Sequence, residues 1–269
     1  MGDQAKLNDL LATLSKGASP GDVLPQLGPL LEQADEAQHC QILHMLGTLD
    51  DDSVMPLLTT SLDHPSPAIR ASATRALGQA GAIAALPRIA TMLQAPEKEV
   101  QVAAAAALGA LGNTAAVHPL IEALQRPNFA ASYAAAQSLG YLNDKNAVPA
   151  LLAMLPKIEH PARRGNVLMA LGLLHDTRAF DVLLYALRDP IPYVRDQAAR
   201  ALGRLGSPDA VPPLVAALRD PHPTVRRRVV QALGWLGDDR AFLPLWEALQ
   251  DPDSQVQAAV HEALPKIGT

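Results

Sequence analysis

Residues 189–218 read DPIPYVRDQAARALGRLGSPDAVPPLVAAL, and residues 220–249 read DPHPTVRRRVVQALGWLGDDRAFLPLWEAL. The second stretch restates the first at an offset of 31 residues, and that offset governs nearly the whole chain. The glycine of each Leu-Gly pair is a ruler: Gly47, Gly78, Gly109, Gly140, Gly172, Gly203 and Gly234 follow at steps of 31, 31, 31, 32, 31 and 31. Eleven residues after each glycine stands a leucine or isoleucine, from Leu58 to Leu245, and fifteen after it a leucine, from Leu62 to Leu249. A fixed period of this length marks stacked supersecondary units, none of which buries its apolar face alone.

Extended backward, the frame finds Pro25, Leu27 and Leu31 in register, with Lys16 where a glycine would stand; extended forward, it finds Leu264 and Pro265. The expectation is one domain over residues 1–269. Its units lie near 3–34, 35–63, 64–94, 95–125, 126–157, 158–188, 189–219 and 220–250, with a closing helix over 251–267. Each unit reads as two helices. Four residues past the glycine come Asp51, Asn113, Asp144, Asp176, Ser207 and Asp238, N-cap residues for a second helix, with Ala82 the exception. Three residues past it come Gly81, Gly112, Asn143, Gly206 and Gly237, which tolerate the left-handed end of a helix; Asp50 and His175 depart from that rule. Prolines at 65, 96, 127, 190, 221 and 252 stop the second helix and restart the first. The ruler glycine falls inside a helix, where glycine costs about 1 kcal/mol relative to alanine. A cost repeated in every unit implies a neighbouring helix too close to admit a side chain.

Composition agrees. The chain of 269 residues is 49% hydrophobic but only 3% aromatic, so Ala, Leu and Val fill its interior, a mix that suits close helix packing better than a sheet. The net charge is −5, against wholesale coating of nucleic acid. Residues 1–64 hold ten acids against Lys6 and Lys16, a balance of −8 that leaves +3 for the remainder, so the two ends are expected to meet different surroundings. Cys40 is the single cysteine, which fits a reducing compartment. The start MGDQAKLNDL lacks a basic-then-apolar signal pattern, Lys6 stands where a myristoylation site wants Ser or Thr, and the apolar run at 102–112 is too short to cross a bilayer. A cytoplasmic protein is expected.

The series of a DP turn, V-R, A-A-x-A-L-G-x-L-G-D and A-V-x-P-L-x-x-A-L resembles the HEAT repeat, in the short subclass first noted in phycobilisome lyases. The resemblance covers essentially the whole chain and implies an all-α fold, a right-handed α-α superhelix of about eight helix pairs, about 70–80 Å long at the usual spacing of packed helices. It is specific for fold and weak for activity, because the same repeat serves scaffolds, lyases and a di-iron hydroxylase. It also implies an Asp–Arg ladder bridging units. Asp189 with Arg195 and Asp220 with Arg226 match, and the Arg position elsewhere holds Arg70, Gln101, Ser132, Arg164 and Gln257. The ladder thus breaks around 101–132, which means either looser stacking there or compensation by alanine-rich packing.

On the first helix of each unit the core takes offsets −9, −5, −4, −2 and −1 from the glycine, leaving −10, −7, −6, −3 and +1 free; by resemblance this helix lines a concave side. Toward the N-terminus those positions are small or polar: Ala68, Ala71, Ser72, Ala103, Ala106 and Ala110. The centre offers Tyr133, Tyr141, Met169 and Leu173, and the C-terminal units offer Tyr193, Arg200, Arg204, Arg227, Arg228 and Trp235. Tyr, Trp and Arg dominate interface hot spots, so these residues are the candidate partner-binding set. The groove would take an apolar side chain or helix at its middle and an acidic group at its far wall. Arg226 belongs to the ladder, and helical geometry spreads Arg226, Arg227 and Arg228 too widely for one patch.

No metal site, cofactor or catalytic set is expected. His261-Glu262 is the one His-Glu pair where a di-iron centre needs several, and His261 falls at a core offset that reads as partly buried. Cys40 lies one turn from His44, yet a thiolate nucleophile also wants an orienting group and a pocket. The leading expectation is a non-enzymatic protein-interaction scaffold or adaptor. The resemblance supplies the alternative, a phycobilin lyase-like protein, with arginines on bilin propionates and Tyr or Trp stacked on the pyrrole rings. The closing helix either caps the array or leaves an end that dimerises.

Overall fold

The computed structural model of the protein describes residues 6, 9–10, 12–14, 20–31, 33–49 and 51–267. Lys16 and Asp50, two of the departures noted in the repeat, lie outside the described residues. Among those described the regular structure is entirely helical. It gathers into two compact units, Met1–Ala123 and Leu124–Thr269.

The first unit contains α1 (Pro20–Leu31), α2 (Glu36–Leu46), α3 (Met55–Thr60), α4 (Pro67–Gln79), α5 (Leu86–Met92), α6 (Lys98–Ala110) and α7 (Val117–Ala123). The long helices α2, α4 and α6 stack in chain order, and the short α3 and α5 pack beside the long helix that follows each. The second unit repeats the plan with α8 (Phe129–Leu142), α9 (Ala147–Met154), α10 (Pro161–Leu173), α11 (Phe180–Ala186), α12 (Pro192–Leu205), α13 (Val211–Ala217), α14 (Pro223–Leu236), α15 (Phe242–Glu247) and α16 (Ser254–Ala263). Here α8, α10, α12, α14 and α16 stack as one row. This is an α-α solenoid built from paired helices.

The local causes follow the sequence. Asp51, Asn113, Asp144, Asp176, Ser207 and Asp238 each accept a hydrogen bond from the backbone N–H two residues on, opening the turn that leads into the second helix, a turn of 3-10 helix at all but Asp144. The α4, α10, α12 and α14 helices begin on a proline, whose missing N–H costs nothing there. The backbone is left-handed at Gly81, Gly112, Asn143, Gly206 and Gly237, as expected, and also at His175, with φ 48°. The repeat's geometry therefore prevails at His175 over the preference of its side chain.

The ruler glycines stand where two long helices touch. A Cβ on Gly172 would lie 2.6 Å from the Ala201 Cα, and one on Gly47 would lie 2.6 Å from the Ala76 Cα. Gly78, Gly203 and Gly234 meet Ala107, Ala232 and Ala263 in the same way. These five glycines thus each stand against the alanine two places before the next repeat's ruler position, whereas Gly140 meets Leu173.

The ladder runs differently from the pairing expected inside each repeat. Arg195 donates from Nε and Nη2 to the Asp220 carboxylate of the next repeat at 2.6 and 2.8 Å, while its Nη1 donates to the Asp189 carbonyl of its own. Arg226 does the same with Asp251, at 2.7 Å for both nitrogens. The Asp189 carboxylate belongs instead to Arg164, and Glu97 to Arg70. Gln101 and Gln257 make the backbone half, each donating to a carbonyl six residues back, and Ser132 donates to the Leu124 carbonyl. Burial pushes Asp220 up, but hydrogen bonds from Arg195 and the His222 N–H outweigh it and hold its pKa low. Asp251 is held low by Arg226.

Candidate functional site: the long-helix face of the second unit

On a helix of 3.6 residues per turn, offsets −10, −7, −3 and +1 fall within one narrow stripe. All ten candidate residues lie in the second unit, on α8, α10, α12 and α14. Tyr141 stands out to solvent at 78% exposure, and Tyr133, Tyr193 and Trp235 are exposed at 38–44%. Leu173 lies over Gly140, where an added Cβ would meet its side chain at 2.5 Å. Trp235, at the same offset two repeats later, lies over Gly203 at 3.0 Å. The ruler glycines therefore serve the surface too: they are the floor on which the large side chains of the next repeat rest.

Tyr193 uses a second glycine. A Cβ on Gly165 would come within 2.7 Å of its ring and 2.9 Å of Gln197 Cγ. Burial, then the charge of Asp196 and the neighbouring Tyr133, push the Tyr193 phenol up, so it remains a hydrogen-bond donor at neutral pH. Arg204 lies over the Trp235 ring at 4.5 Å, a cation–π contact that holds both side chains against the surface. Beside Trp235 a pocket of about 160 Å³ is lined by Gln231, Gly234, Ala259, Glu262, Ala263 and Lys266.

Two candidates belong elsewhere. Met169 is buried, at 3% exposure. Its thioether has no polar end to keep in water, so it lies down between the stacked helices, whereas Arg200 at the same offset stays half-buried. Arg228 is tied inward: its Nε meets both Asp196 oxygens at 3.2 and 3.3 Å, and its Nη1 donates to Gln231 Oε1 at 2.8 Å. Offsets −7 and −6 are in general less free than the repeat frame predicts. Ala71, Ser72, Ala103, Asn166, Asp196 and Gln197 are buried there, because the next long helix covers that flank. Ala106 and Ala110 are exposed as expected.

What remains is a stripe of phenols and an indole beside Arg200, Arg204 and Arg227. No carboxylate among the described residues stands within ion-pair distance of these three guanidinium groups. By contrast Arg164, Arg178, Arg195, Arg226, Arg228 and Arg240 all have one. Chemically the stripe is a binding surface: flat apolar faces, phenol donors, and cations free to grip an anion.

The other sequence candidates resolve in the first unit and at the C-terminus. Cys40 is half-buried, and burial raises its thiol pKa, away from a thiolate. His39 is buried, its Nε2 lacks a hydrogen-bond partner, and its ring meets His64 edge-on at 5.2 Å. His261 is exposed rather than partly buried, on the side of α16 that it shares with Glu262, while Val260 and Ala263 turn into the stack. Among the described residues no cluster of three or more His, Cys, Asp or Glu is arranged to hold a metal ion. Nor is any helix there long and apolar enough to cross a membrane. The repeat frame gave no warning of the large apolar side chains exposed on the short helices, Tyr185, Phe242, Leu243 and Trp246. The available signal was the aromatic bulk itself, at +8 and +12 from Gly234 and at +13 from Gly172.

Stacked helix pairs on a 31-residue ruler define an α-solenoid, and comparison with known proteins agrees. HEAT-repeat models match residues 24–97, 86–172, 117–191 and 180–265, and the chain belongs to the HEAT-repeat family. No curated protein matches it. Among solved structures it is similar to the complex of CpcE and CpcF of phycocyanin lyase from Nostoc sp. PCC7120, at 26% identity and a TM-score of 0.52, over 79% of this chain and 94% of that one. It is also similar to human deoxyhypusine hydroxylase, at 21% identity and a TM-score of 0.41 over 99% and 97% of the two chains. YibA of Escherichia coli matches at 18% and 0.47 over 86% and 97%.

Proposed function

We propose that this chain is a non-enzymatic cytoplasmic scaffold or adaptor that holds another protein against the long-helix face of its second unit. The reading takes residues 1–269 as one array and that face as its concave groove. The partner segment presents an apolar side chain or helix to Tyr141 and Leu173 and an acidic group to Arg200, Arg204 and Arg227. One observation carries the reading: three guanidinium groups with no carboxylate in ion-pair distance among the described residues lie on one stripe with exposed Tyr and Trp, while Arg164, Arg195, Arg226 and Arg228 on the same long helices each have one. Surfaces rich in Tyr, Trp and Arg supply most of the energy in protein interfaces.

A second reading has its own support in the similarity to the phycocyanin lyase complex. On it the stripe holds a bilin, with the arginines on its propionates and Tyr or Trp against its pyrrole rings. The test runs both arms on the full chain, comparing wild type with a triple variant, Tyr141→Ala, Arg204→Glu and Trp235→Ala. An identified partner captured by wild type and lost from the variant, at equal helicity, supports the scaffold; equal capture by both refutes it. Mixing with phycocyanobilin gives a red-shifted difference spectrum only on the second reading, and a flat one removes it.

A further inference from the structure

The three guanidinium groups of the long-helix stripe are concentrated on two neighbouring helices. Arg200 and Arg204 lie on α12 at offsets −3 and +1, and Arg227 lies on α14 at −7. On α8 and α10 the same stripe, at −10, −7, −3 and +1, carries no basic residue. Residues four apart on a helix stand about 5–6 Å apart at Cβ, and packed helices run about 8–10 Å apart. The α12 and α14 helices are neighbours in the row. Arg200 and Arg227 therefore stand on either side of the seam between them, one turn apart in level, with Arg204 one turn further along. The long stem of arginine lets all three heads reach one group placed over that seam.

The acceptors between them are taken. The Asp196 carboxylate, at −7 on α12, receives Arg228 Nε at 3.2 and 3.3 Å and Gln197 Nε2 at 3.0 Å. Gln231 Oε1, at −3 on α14, accepts from Arg228 Nη1 at 2.8 Å. The acid on the adjoining helix, Glu262 of α16, lines the pocket beside Trp235 with Lys266. What the seam offers is donors: three guanidinium groups, the Gln231 amide nitrogen and, two turns below Arg200, the Tyr193 phenol. A carboxylate brings one charge and two oxygens, which the fork of a single guanidinium already satisfies. A phosphate monoester brings a charge of about −1.5 to −2 at pH 7 and three strong acceptor oxygens, which suit three guanidinium groups.

We infer that the seam between α12 and α14 is a subsite for a phosphate monoester, and that the anion gripped there is a phosphorylated side chain of the partner protein. The inference rests on the scaffold reading and narrows its acidic group to that class. Arg200 and Arg227 hold the phosphate from the two sides of the seam and Arg204 from the next turn. The Trp235 ring, on which Arg204 lies at 4.5 Å, receives an apolar neighbour of the phosphorylated residue. Leu173 of α10 and Tyr141 of α8 continue the stripe over the two preceding helices, about 16–20 Å of further surface. About six residues of extended chain cover that length, so the arrangement suits a polypeptide that carries the phosphate better than an isolated headgroup. Capture then depends on the partner's phosphorylation.

Titrations of the full chain at about 0.15 M salt test the subsite, with Trp246→Phe as background so that Trp235 is the single indole and its fluorescence reports binding. Phenyl phosphate is expected to bind at least about tenfold more tightly than benzoate. Arg200→Gln and Arg227→Gln are each expected to weaken it at least about tenfold at equal helicity, the scale of one lost hydrogen bond to a charged group. Arg219→Gln, after the short helix α13, is expected to leave it unchanged. Benzoate binding as tightly as phenyl phosphate overturns the inference, as does phosphate binding that survives both substitutions. Vesicles of phosphatidylcholine with phosphatidic acid present the same monoester on a membrane, and tighter binding to them than to phenyl phosphate also overturns it. Phosphatase treatment of an identified partner separates this inference from the scaffold reading. Capture lost after treatment supports both. Capture that survives treatment but is lost from the triple variant refutes the phosphate and leaves the scaffold.

Discussion

Gly172→Ala isolates what the ruler glycine does. The added methyl would stand 2.6 Å from the Ala201 Cα, 2.7 Å from its carbonyl oxygen and 2.9 Å from its Cβ. None of those atoms ends a flexible side chain, so relief requires α10 and α12 to part by most of an ångström. Alanine gains about 1 kcal/mol over glycine in a helix interior. Overpacking against backbone costs about 3 kcal/mol, at the top of its usual range. The net loss is about 2 kcal/mol, which lowers the melting temperature by about 4–8 °C in a chain of this size. Gly28→Ala is the matched control, because nothing lies within 4 Å of a Cβ there and the propensity gain stands alone. Thermal melts by far-ultraviolet circular dichroism should therefore move in opposite directions for one chemical change. A Gly172→Ala protein as stable as wild type, or a Gly28→Ala protein equally destabilised, refutes close approach as the reason for the ruler.

Three further outcomes follow from the same geometry. His175→Gly should raise stability by about 1 kcal/mol, the cost of holding an L-residue left-handed, measured by urea unfolding; no gain means the imidazole has compensating contacts. The pKa values of Asp220 and Asp251 are held below the carboxylate's unfolded value, so their stabilisation is complete above about pH 4 and fades as pH falls through the depressed values. Acid unfolding followed by Trp fluorescence, which reports the second unit alone since Trp235 and Trp246 both lie there, should show that loss, and Asp251→Asn should flatten it. Burial first and then His64 lower the His39 pKa, so folding opposes its protonation and the first unit should lose stability as pH drops below about 6.5. Hydrogen exchange in α2 and α4 should speed up over that range in wild type and not in His39→Phe.

Much of the fold was legible because a solenoid repeats its constraints. A single cap or glycine is weak evidence, but the same residue every 31 positions reports a contact made over and over, such as Gly172 against Ala201 and Gly47 against Ala76. The ladder was legible by residue type and not by partner. Sequence spacing put Asp189 and Arg195 together, whereas a guanidinium reaching across the stack finds the next repeat's carboxylate and gives its own turn only backbone carbonyls. Met169 and Arg228 were misplaced for a related reason. A helix wheel says which way a Cα–Cβ bond points, but the length and polar end of the side chain decide whether it stays in water, lies into the stack, or is claimed by a buried acid such as Asp196.

The same distinction bears on what binds. Offset from the ruler sorts residues into stripes, and two stripes of the second unit depart from the solenoid's own needs. Along the long helices Arg200, Arg204 and Arg227 hold positions that stacking does not demand and have no carboxylate in ion-pair distance among the described residues, so their charge is available outside the chain. Along the short helices Phe242 and Trp246 of α15 leave large rings in solvent at offsets that the earlier repeats fill with buried or half-buried residues. The first stripe asks for an anion beside an apolar group, and the second offers apolar faces alone. Because they lie on different helices, a change at Trp246 should leave partner capture intact, whereas Arg204→Glu should abolish it. If both changes abolished capture, the two stripes would be one surface, and the separate assignments made from the offsets would fail together.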